Sequence, residues 1–223
     1  MRKQLLLLGH RGARAERQIP ENSMASFELC MAHGCDGFEF DVRQSSEGRA
    51  VICHDPVWRA TGKGRPGVEV AGASLAELDG IAQLDGVLAK FAGSAYLDIE
   101  LKVSGVEEAV ADAVRKFRPQ KYVVSSFLPE VLKAVHGMAE EIPLGLICET
   151  HEQMAEWKRL PVAAVIPQWK LARQELVEEL HGAKKEILVW TVNEETKMRE
   201  LADWGVDGVI SDETDRLVKT LRG

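Results

Sequence analysis

Short apolar runs alternate along this chain with longer stretches whose apolar residues recur three and four positions apart, the pattern of repeating strand and helix units. The first run is the four leucines at 5–8, read as a buried strand. After a loop, Phe27, Cys30 and Met31 share one face of a helix predicted over 23–33 and stopped at Gly34. Further strands are predicted over 38–42, 51–53, 96–101, 122–125, 144–147, 163–166, 187–192 and 208–210. Helices fall between them at 106–117, closing before Pro119, and at 129–136, where Pro129 suits a first turn. The remaining helices are predicted at 152–158, 172–180, 194–204 and 214–221.

Eight such alternations, spaced on average by about 28 residues, predict an α/β fold of the (β/α)8 or TIM barrel kind, near its lower size limit. No linker breaks the pattern and the units share no sequence repeat, so residues 1–223 read as one domain. Residues 56–91, which include Thr-Gly-Lys-Gly-Arg-Pro-Gly, read as a short insertion after the second strand that crosses one end of the barrel.

In this architecture chemistry sits at the C-terminal ends of strands. The second strand runs Phe38-Glu39-Phe40-Asp41-Val42-Arg43, and a side-chain period of two turns Glu39 and Asp41 together into the barrel while the apolar residues face the helices. The next main strand repeats this arrangement, with Asp98, Glu100 and Lys102 inward and Leu97, Ile99 and Leu101 outward. Unpaired, such buried carboxylates would each cost several kcal/mol. One resolution is an ion-pair network with Arg11 and Lys102. The stronger one is a divalent cation held by Glu39, Asp41 and Glu100, an oxygen-only set that suits Mg²⁺, Ca²⁺ or Mn²⁺ and disfavours Zn²⁺. With Arg11 and Lys102 the ion would form a positive pocket for an anionic substrate. His10 ends the first strand and His54 follows the short strand at 51–53, two imidazoles able to exchange protons near neutral pH, with Asp55 placed to steady His54. His33, His136, His151 and His181 stand in helical or loop settings and read as packed or solvated.

Composition narrows the partners. Of 223 residues 45% are hydrophobic, too many for a disordered chain, and 35 acidic against 28 basic side chains give a formal charge of −7. That charge repels nucleic acid and anionic bilayers and favours a small soluble partner. No run approaches the roughly 18 apolar residues of a membrane span, and the four leucines are too few for a signal peptide's apolar region, so no stable membrane insertion is expected. Cys30, Cys35, Cys53 and Cys148 form no CxxC pair; reduced thiols and a cytoplasmic location are the expectation.

Taken in order, Gly9-His10-Arg11-Gly12, Pro20-Glu21-Asn22-Ser23, Phe27, Glu39-Phe40-Asp41-Val42, Gly48, Val-Ile-Cys-His-Asp at 51–55, Glu100-Leu101-Lys102, Ser126-Phe127, Trp190-Thr191-Val192-Asn193 and the segment 205–212 resemble the glycerophosphodiester phosphodiesterase family along the whole chain. The resemblance implies a metal-dependent TIM barrel that hydrolyses glycerophosphodiesters to an alcohol and glycerol 3-phosphate. It implies His10 and His54 as the acid-base pair, Glu39, Asp41 and Glu100 as ligands of one divalent cation, and Arg11 and Lys102 as phosphate contacts. Glu21 and Asn22 match a loop beside the site, although Asn22 or Ser23 would equally cap a helix. Phe127 and Trp190 would line the substrate pocket or simply pack the core; Asn193 and Asp212 read as caps of the helices that follow them.

Departures gather in the insertion, where Ile81-Ala82-Gln83-Leu84-Asp85-Gly86 replaces a Pro-Thr-Leu-Glu-Glu pattern and Val57-Trp58-Arg59-Ala60-Thr61-Gly62 replaces an Asp-Arg-Thr-Thr run. They bear on the leaving-group pocket, and so on substrate choice. Soluble deacylated diesters are the expected substrates. The alternatives are a lysophospholipase D-like activity at the same site and a non-catalytic phosphodiester-binding barrel, which would have no need of a paired proton donor.

Overall fold

The computed structural model describes residues 4–59 and 66–223. The basic start of the chain at 1–3 and residues 60–65 of the Gly-rich stretch lie outside the described residues. In chain order the elements are β1 (Leu6–Gly9), α1 (Met24–Ala32), β2 (Gly37–Gln44), β3 (Ala50–Ile52), β4 (Val57–Trp58), β5 (Val68–Glu69), α2 (Leu84–Phe91), β6 (Tyr96–Leu101), α3 (Glu107–Phe117), β7 (Lys121–Ser126) and α4 (Pro129–Met138). They continue with β8 (Leu144–Cys148), α5 (His151–Ala155), β9 (Ala164–Pro167), α6 (Gln174–Gly182), β10 (Glu186–Val189), α7 (Glu195–Trp204), β11 (Gly208–Ser211) and α8 (Thr214–Arg222). Parallel pairing runs β1-β2-β6-β7-β8-β9-β10-β11 and returns to β1, where Gly9 lies beside Ser211, so the eight strands close into the predicted barrel.

Strand parity divides the apolar residues into two cores. Leu8, Tyr96, Val123, Ile147, Ala164, Ile166, Leu188 and Ile210 fill the barrel interior. Residues of opposite parity meet the helices, and around β2 that outer core is aromatic: Phe27 of α1 stacks on Phe38 with ring centroids 4.3 Å apart, and Phe91 of α2 meets Phe38 edge-on at 5.0 Å. Helix α1 starts where the Ser23 hydroxyl accepts the Ser26 N–H at 3.2 Å, and it stops before Gly34, whose φ of +95° suits glycine. Gly37 has a different reason to be glycine: a Cβ there would stand 1.8 Å from the Tyr96 carbonyl oxygen, inside the β2–β6 pairing on which the site is built.

Two sequence expectations need correction. The insertion is shorter than 56–91, because its last eight residues are α2, the helix of the second βα unit, which buries Leu84, Val87, Leu88 and Phe91. Gly86 in its first turn and the Gly-rich stretch upstream hid its periodicity. What remains is the two-stranded β4–β5 ribbon and a turn that pack Val70, Ala73, Leu78 and Ile81 on Val51 and Cys53 of β3 and its extension. The strand predicted over 187–192 ends at Val189, and Trp190 continues it by a single bridge to Gln168.

Because Phe27 is fully buried between β2 and two helices, Phe27→Ala should lower unfolding free energy by about 3–5 kcal/mol. Urea denaturation would show it as a lower midpoint at unchanged slope; a loss below about 1 kcal/mol would contradict this packing.

Candidate active site

The loop leaving β1 is held in place from both ends of the barrel seam. His10 N–H donates to the Ser211 carbonyl at 2.8 Å, and the chain then turns through two left-handed residues, Arg11 (φ +53°) and Gly12 (φ +82°). Gly12 is required because a Cβ would meet the Ser26 backbone at 2.8 Å. Arg11 holds a conformation unfavourable for a side-chain-bearing residue, and in return its backbone N–H reaches the Glu39 carboxylate at 2.9 Å. Its guanidinium contacts Asp41 at 3.2 Å and Glu21 at 2.8 Å. Glu21 also binds Arg14, so it holds the arginines and does not itself line the site. Asn22, at φ +55°, donates its amide to the Asp41 carboxylate at 2.7 Å, while Ser23 alone provides the helix cap.

Pairing of β2 with β6 sets Glu39 beside Asp98 and Asp41 beside Glu100. All four carboxylates are buried, and oxygens of Glu39, Asp41 and Glu100 lie within 4.8 Å of one another. Lys102 touches Glu100 at 2.6 Å and Asp41 at 3.3 Å. Burial first, then neighbouring Asp41 and Glu100, pushes the Glu39 carboxyl well above the usual range. Burial and Asp41 raise Glu100 to about 7, and burial raises Asp98 to about 7 against the Ser125 hydroxyl that donates to it. Asp41 goes the other way: burial opposes its charge, but Arg11, Lys102 and Asn22 outweigh it and hold its pKa low. The ion-pair network is therefore present and incomplete. Two cations face four carboxylates, and Glu39 Oε1 and Asp98 Oδ2 are buried without a hydrogen-bond partner. An oxygen-only set with a residual negative charge and an orphaned ligand oxygen on Glu39 fits a hard divalent ion.

Both histidines face the same cavity, and each is backed by a carboxylate. His54 Nδ1 lies 2.8 Å from Asp55, and the carbonyl of His54 accepts Arg43 Nε at 2.9 Å. His10 Nδ1 lies 2.7 Å from Asp212, the first residue after β11, while its Nε2 lies 3.9 Å from Glu39. Burial lowers the pKa of His10, against the pull of Asp212. Asp212 is itself held below the usual carboxylate range: burial works against its charge, and the His10 hydrogen bond, Asn193 and Arg14 prevail. Asn193 donates to Asp212 at 2.8 Å. The helix-cap readings of Asn193 and Asp212 are thus corrected, since the residues at the N-cap positions of α7 and α8 are Glu194 and Glu213. Asp212 carried the signal that found the other site residues, a polar residue at a strand end, but lay 202 positions from its partner.

The cavity encloses about 350 Å³. Its polar lining is His10, Arg11, Glu39, His54, Asp98, Glu100, Lys102 and Glu149, and its apolar lining is Phe127, Ile147, Ile166, Trp190 and Ile210; the two meet where Lys102 Nζ lies 5.6 Å from the Phe127 ring and the His10 ring lies 6.5 Å from that of Trp190. Phe127 and Trp190, left between pocket and core by the sequence, are both lining residues, packed edge to face at 5.5 Å.

The fold and this cavity are those of a barrel enzyme with its polar groups at the strand C-termini. The sequence profile of the glycerophosphoryl diester phosphodiesterase family matches residues 10–100 and 93–216. A glycerophosphodiester phosphodiesterase of Bacillus altitudinis is 30% identical over 238 residues, covering 96% of either chain. One of Caldanaerobacter subterraneus is 28% identical over 247 residues, covering 97% of this chain and 98% of its own. An Oleispira antarctica phosphodiesterase, solved in complex with the product sn-glycerol-3-phosphate, superposes with a TM-score of 0.84 at 25% identity, covering 98% of this chain and 97% of its own. The chain belongs to the glycerophosphoryl diester phosphodiesterase family, and it is an enzyme.

Asp98 supplies a test of the electrostatics. Its folded pKa of about 7 stands above the ordinary 3.8, so the folded state holds the proton more tightly than the unfolded one. Its contribution to stability is therefore greatest below about pH 4 and is lost as pH rises to about 7. In chelator, the Asp98→Asn variant should lose that slope and exceed wild type by about 1–4 kcal/mol at pH 8. Urea midpoints at pH 5 and 8 check it; equal slopes for the two proteins would show that Asp98 carries no such strain.

Proposed function

We propose that this enzyme hydrolyses glycerophosphodiesters to an alcohol and sn-glycerol 3-phosphate by acid-base catalysis between His10 and His54, with one divalent cation bound by Glu39, Asp41 and Glu100. The observation that carries the reading is the convergence of two carboxylate-backed imidazoles and an oxygen-only acidic cluster on one cavity. When bound, a Mg²⁺, Ca²⁺ or Mn²⁺ ion would neutralise phosphate oxygens and stabilise charge in the transition state. Arg11 and Lys102 add fixed positive charge to the same cavity.

His10 is assigned as the base. Burial favours its neutral form, and the Asp212 carboxylate fixes the proton on Nδ1, leaving the Nε2 lone pair on the cavity side. It takes a proton from the attacking oxygen as the new phosphorus–oxygen bond forms; that oxygen is water's, or the glycerol 2-hydroxyl's, in which case a cyclic phosphate forms first and water then opens its bond to O2 to give glycerol 3-phosphate. His54, more open and backed by Asp55, gives a proton to the headgroup oxygen as its bond to phosphorus breaks. A barrel that merely bound phosphodiesters would have no use for two such pairs.

Soluble diesters are the proposed substrates. No helix among the described residues is long and apolar enough to cross a membrane. Met138, the sole exposed large apolar side chain among them, ends α4 at the barrel face away from the cavity. Trp58 is half-buried and donates its indole N–H to Asp79 at 3.2 Å. The described residues thus present no bilayer-inserting surface at the mouth. The four cysteines are free and buried, which supports a reducing, cytoplasmic setting.

Turnover of glycerophosphocholine should vanish in excess chelator and return with Mg²⁺, Mn²⁺ or Ca²⁺. His10→Ala and His54→Ala should each lose about 10²-fold or more in kcat while circular dichroism stays unchanged. Full activity after exhaustive chelation, or retention of over about a tenth of the rate in either variant, would overturn the corresponding assignment.

Glycerophosphocholine and glycerophosphoethanolamine should exceed the matching lysophospholipids in kcat/KM. A tenfold preference for the lysolipid, about 1.4 kcal/mol, would instead favour the lysophospholipase D-like reading.

A further inference from the structure

We propose that Arg43 is a positioning residue that fixes His54 through its backbone, and with it the delivery of a proton to the leaving alcohol; the proposal rests on the assignment of His54 as the acid. Strand β2 is longer than its place in the barrel requires. Its pairing with β6 ends at Val42 beside Leu101, whereas Arg43 and Gln44 pair only with β3, where Arg43 lies opposite Val51. Directly paired residues of antiparallel strands share a face, so the Arg43 side chain runs on the side of Val51 and Cys53, and its Nε donates to the His54 carbonyl at 2.9 Å.

His54 needs such a hold. Strand β3 ends at Ile52, and the last backbone bond from this segment to β2 runs from the Cys53 N–H to the Asp41 carbonyl at 3.0 Å. The next tie along the chain is the Val70 N–H on the Pro56 carbonyl at 2.9 Å, inside the ribbon itself. Between the two, Arg43 is the one donor to the His54 backbone among the described residues. The His54 side chain is 35% exposed and that of its partner Asp55 is 62% exposed, so Asp55 can orient the ring but cannot anchor the segment that carries both. Arg43 does not touch the reacting atoms. It is absent from the lining of the active cavity and lies with Pro56, Glu69 and Val70 on a separate pocket of about 150 Å³. Without the Nε donor the His54 carbonyl loses a charge-assisted bond, and a shift of about 1 Å in a group that must meet a substrate oxygen can cost about 10²-fold in rate.

An acid matters only to a leaving group that needs a proton. The test therefore compares glycerophosphocholine, whose choline would depart as an alkoxide, with the 4-nitrophenyl ester of glycerol 3-phosphate, whose phenolate leaves unprotonated. Arg43→Met keeps an apolar stem and has no donor, whereas Arg43→Gln carries an amide N–H as many bonds from the backbone as Nε and no charge. Arg43→Met should lose about tenfold or more in kcat on glycerophosphocholine with KM little changed, and stay within about threefold of wild type on the nitrophenyl ester. Arg43→Gln should recover most of the lost rate. Arg43→Ala, equally without a donor, takes the place of Arg43→Met if circular dichroism finds the latter unfolded. An equal loss on both esters would mean that Arg43 acts on the fold or the acidic cluster, no loss would mean that it holds nothing, and a Gln variant as slow as the Met variant would mean that its charge acts and not its bond; each result overturns the inference. His54→Ala is the control on the underlying reading. It should show the same selective loss, and an equal loss on both esters in that variant would remove His54 as the acid and the role of Arg43 with it.

Discussion

Like-charge crowding at one barrel mouth is the constraint around which the rest of this structure is arranged. The parity that puts Phe38 and Phe40 in the outer core necessarily turns Glu39 and Asp41 inward, and the β2–β6 register places Asp98 and Glu100 beside them. No local adjustment can separate these groups, because slipping the register by one residue would bury the charges among helices and expose the phenylalanines to the site. The neighbourhood answers in kind. Arg11 and Asn22 both adopt left-handed backbone so that a backbone N–H, a guanidinium and an amide reach the carboxylates, and Lys102 extends from the end of β6 to touch two of them. Two cations against four carboxylates leave the cluster suited to a divalent ion, and the raised pKa values of Glu39, Asp98 and Glu100 express the remaining strain.

The outer aromatic core is the mechanical counterpart of that strain. Phe27, Phe38 and Phe91 clamp β2 between α1 and α2 on the face opposite the carboxylates, and Gly37 lets β2 approach β6 without a side chain between them. A group that is costly to bury keeps its position when the strand carrying it is held by a much larger apolar contact. The mixed lining of the cavity follows from the same parity. Charge is gathered where β2 and β6 meet, and β8, β9 and β11 remain apolar inside, where Ile147, Ile166 and Ile210 belong both to the interior core and to the cavity lining.

Much of this was legible in the sequence because it rests on short periods. The alternation of strand and helix predicts the closed barrel, and a period of two within six residues predicts the inward faces of β2 and β6. Helix α2 was lost because Gly86 breaks its first turn and a glycine-rich segment precedes it, and local pattern was the sole guide there. Asp212 and Asn193 were placed at their strand ends and given the wrong task. Either residue type before a helix reads as a cap, and nothing local distinguishes a cap from a side chain turned toward another strand.

The His10–Asp212 pair ties the chemistry to barrel closure. His10 belongs to the first strand and Asp212 to the last, and they meet because β1 and β11 pair from Leu6 with Gly208 to Gly9 with Ser211. The seam that closes the barrel is thus also the joint that orients the base, and Asn193 and Arg14 brace the carboxylate from the neighbouring loops. In a chain whose other units pair with their sequence neighbours, this contact is among the longest in sequence separation, and its closure entropy is met only once both ends of the barrel are formed. A partly folded chain could assemble the carboxylates of β2 and β6 from adjacent units, yet it would lack an oriented His10. Proton transfer in the proposed reaction therefore depends on the complete barrel, whereas the acidic cluster depends only on its first half.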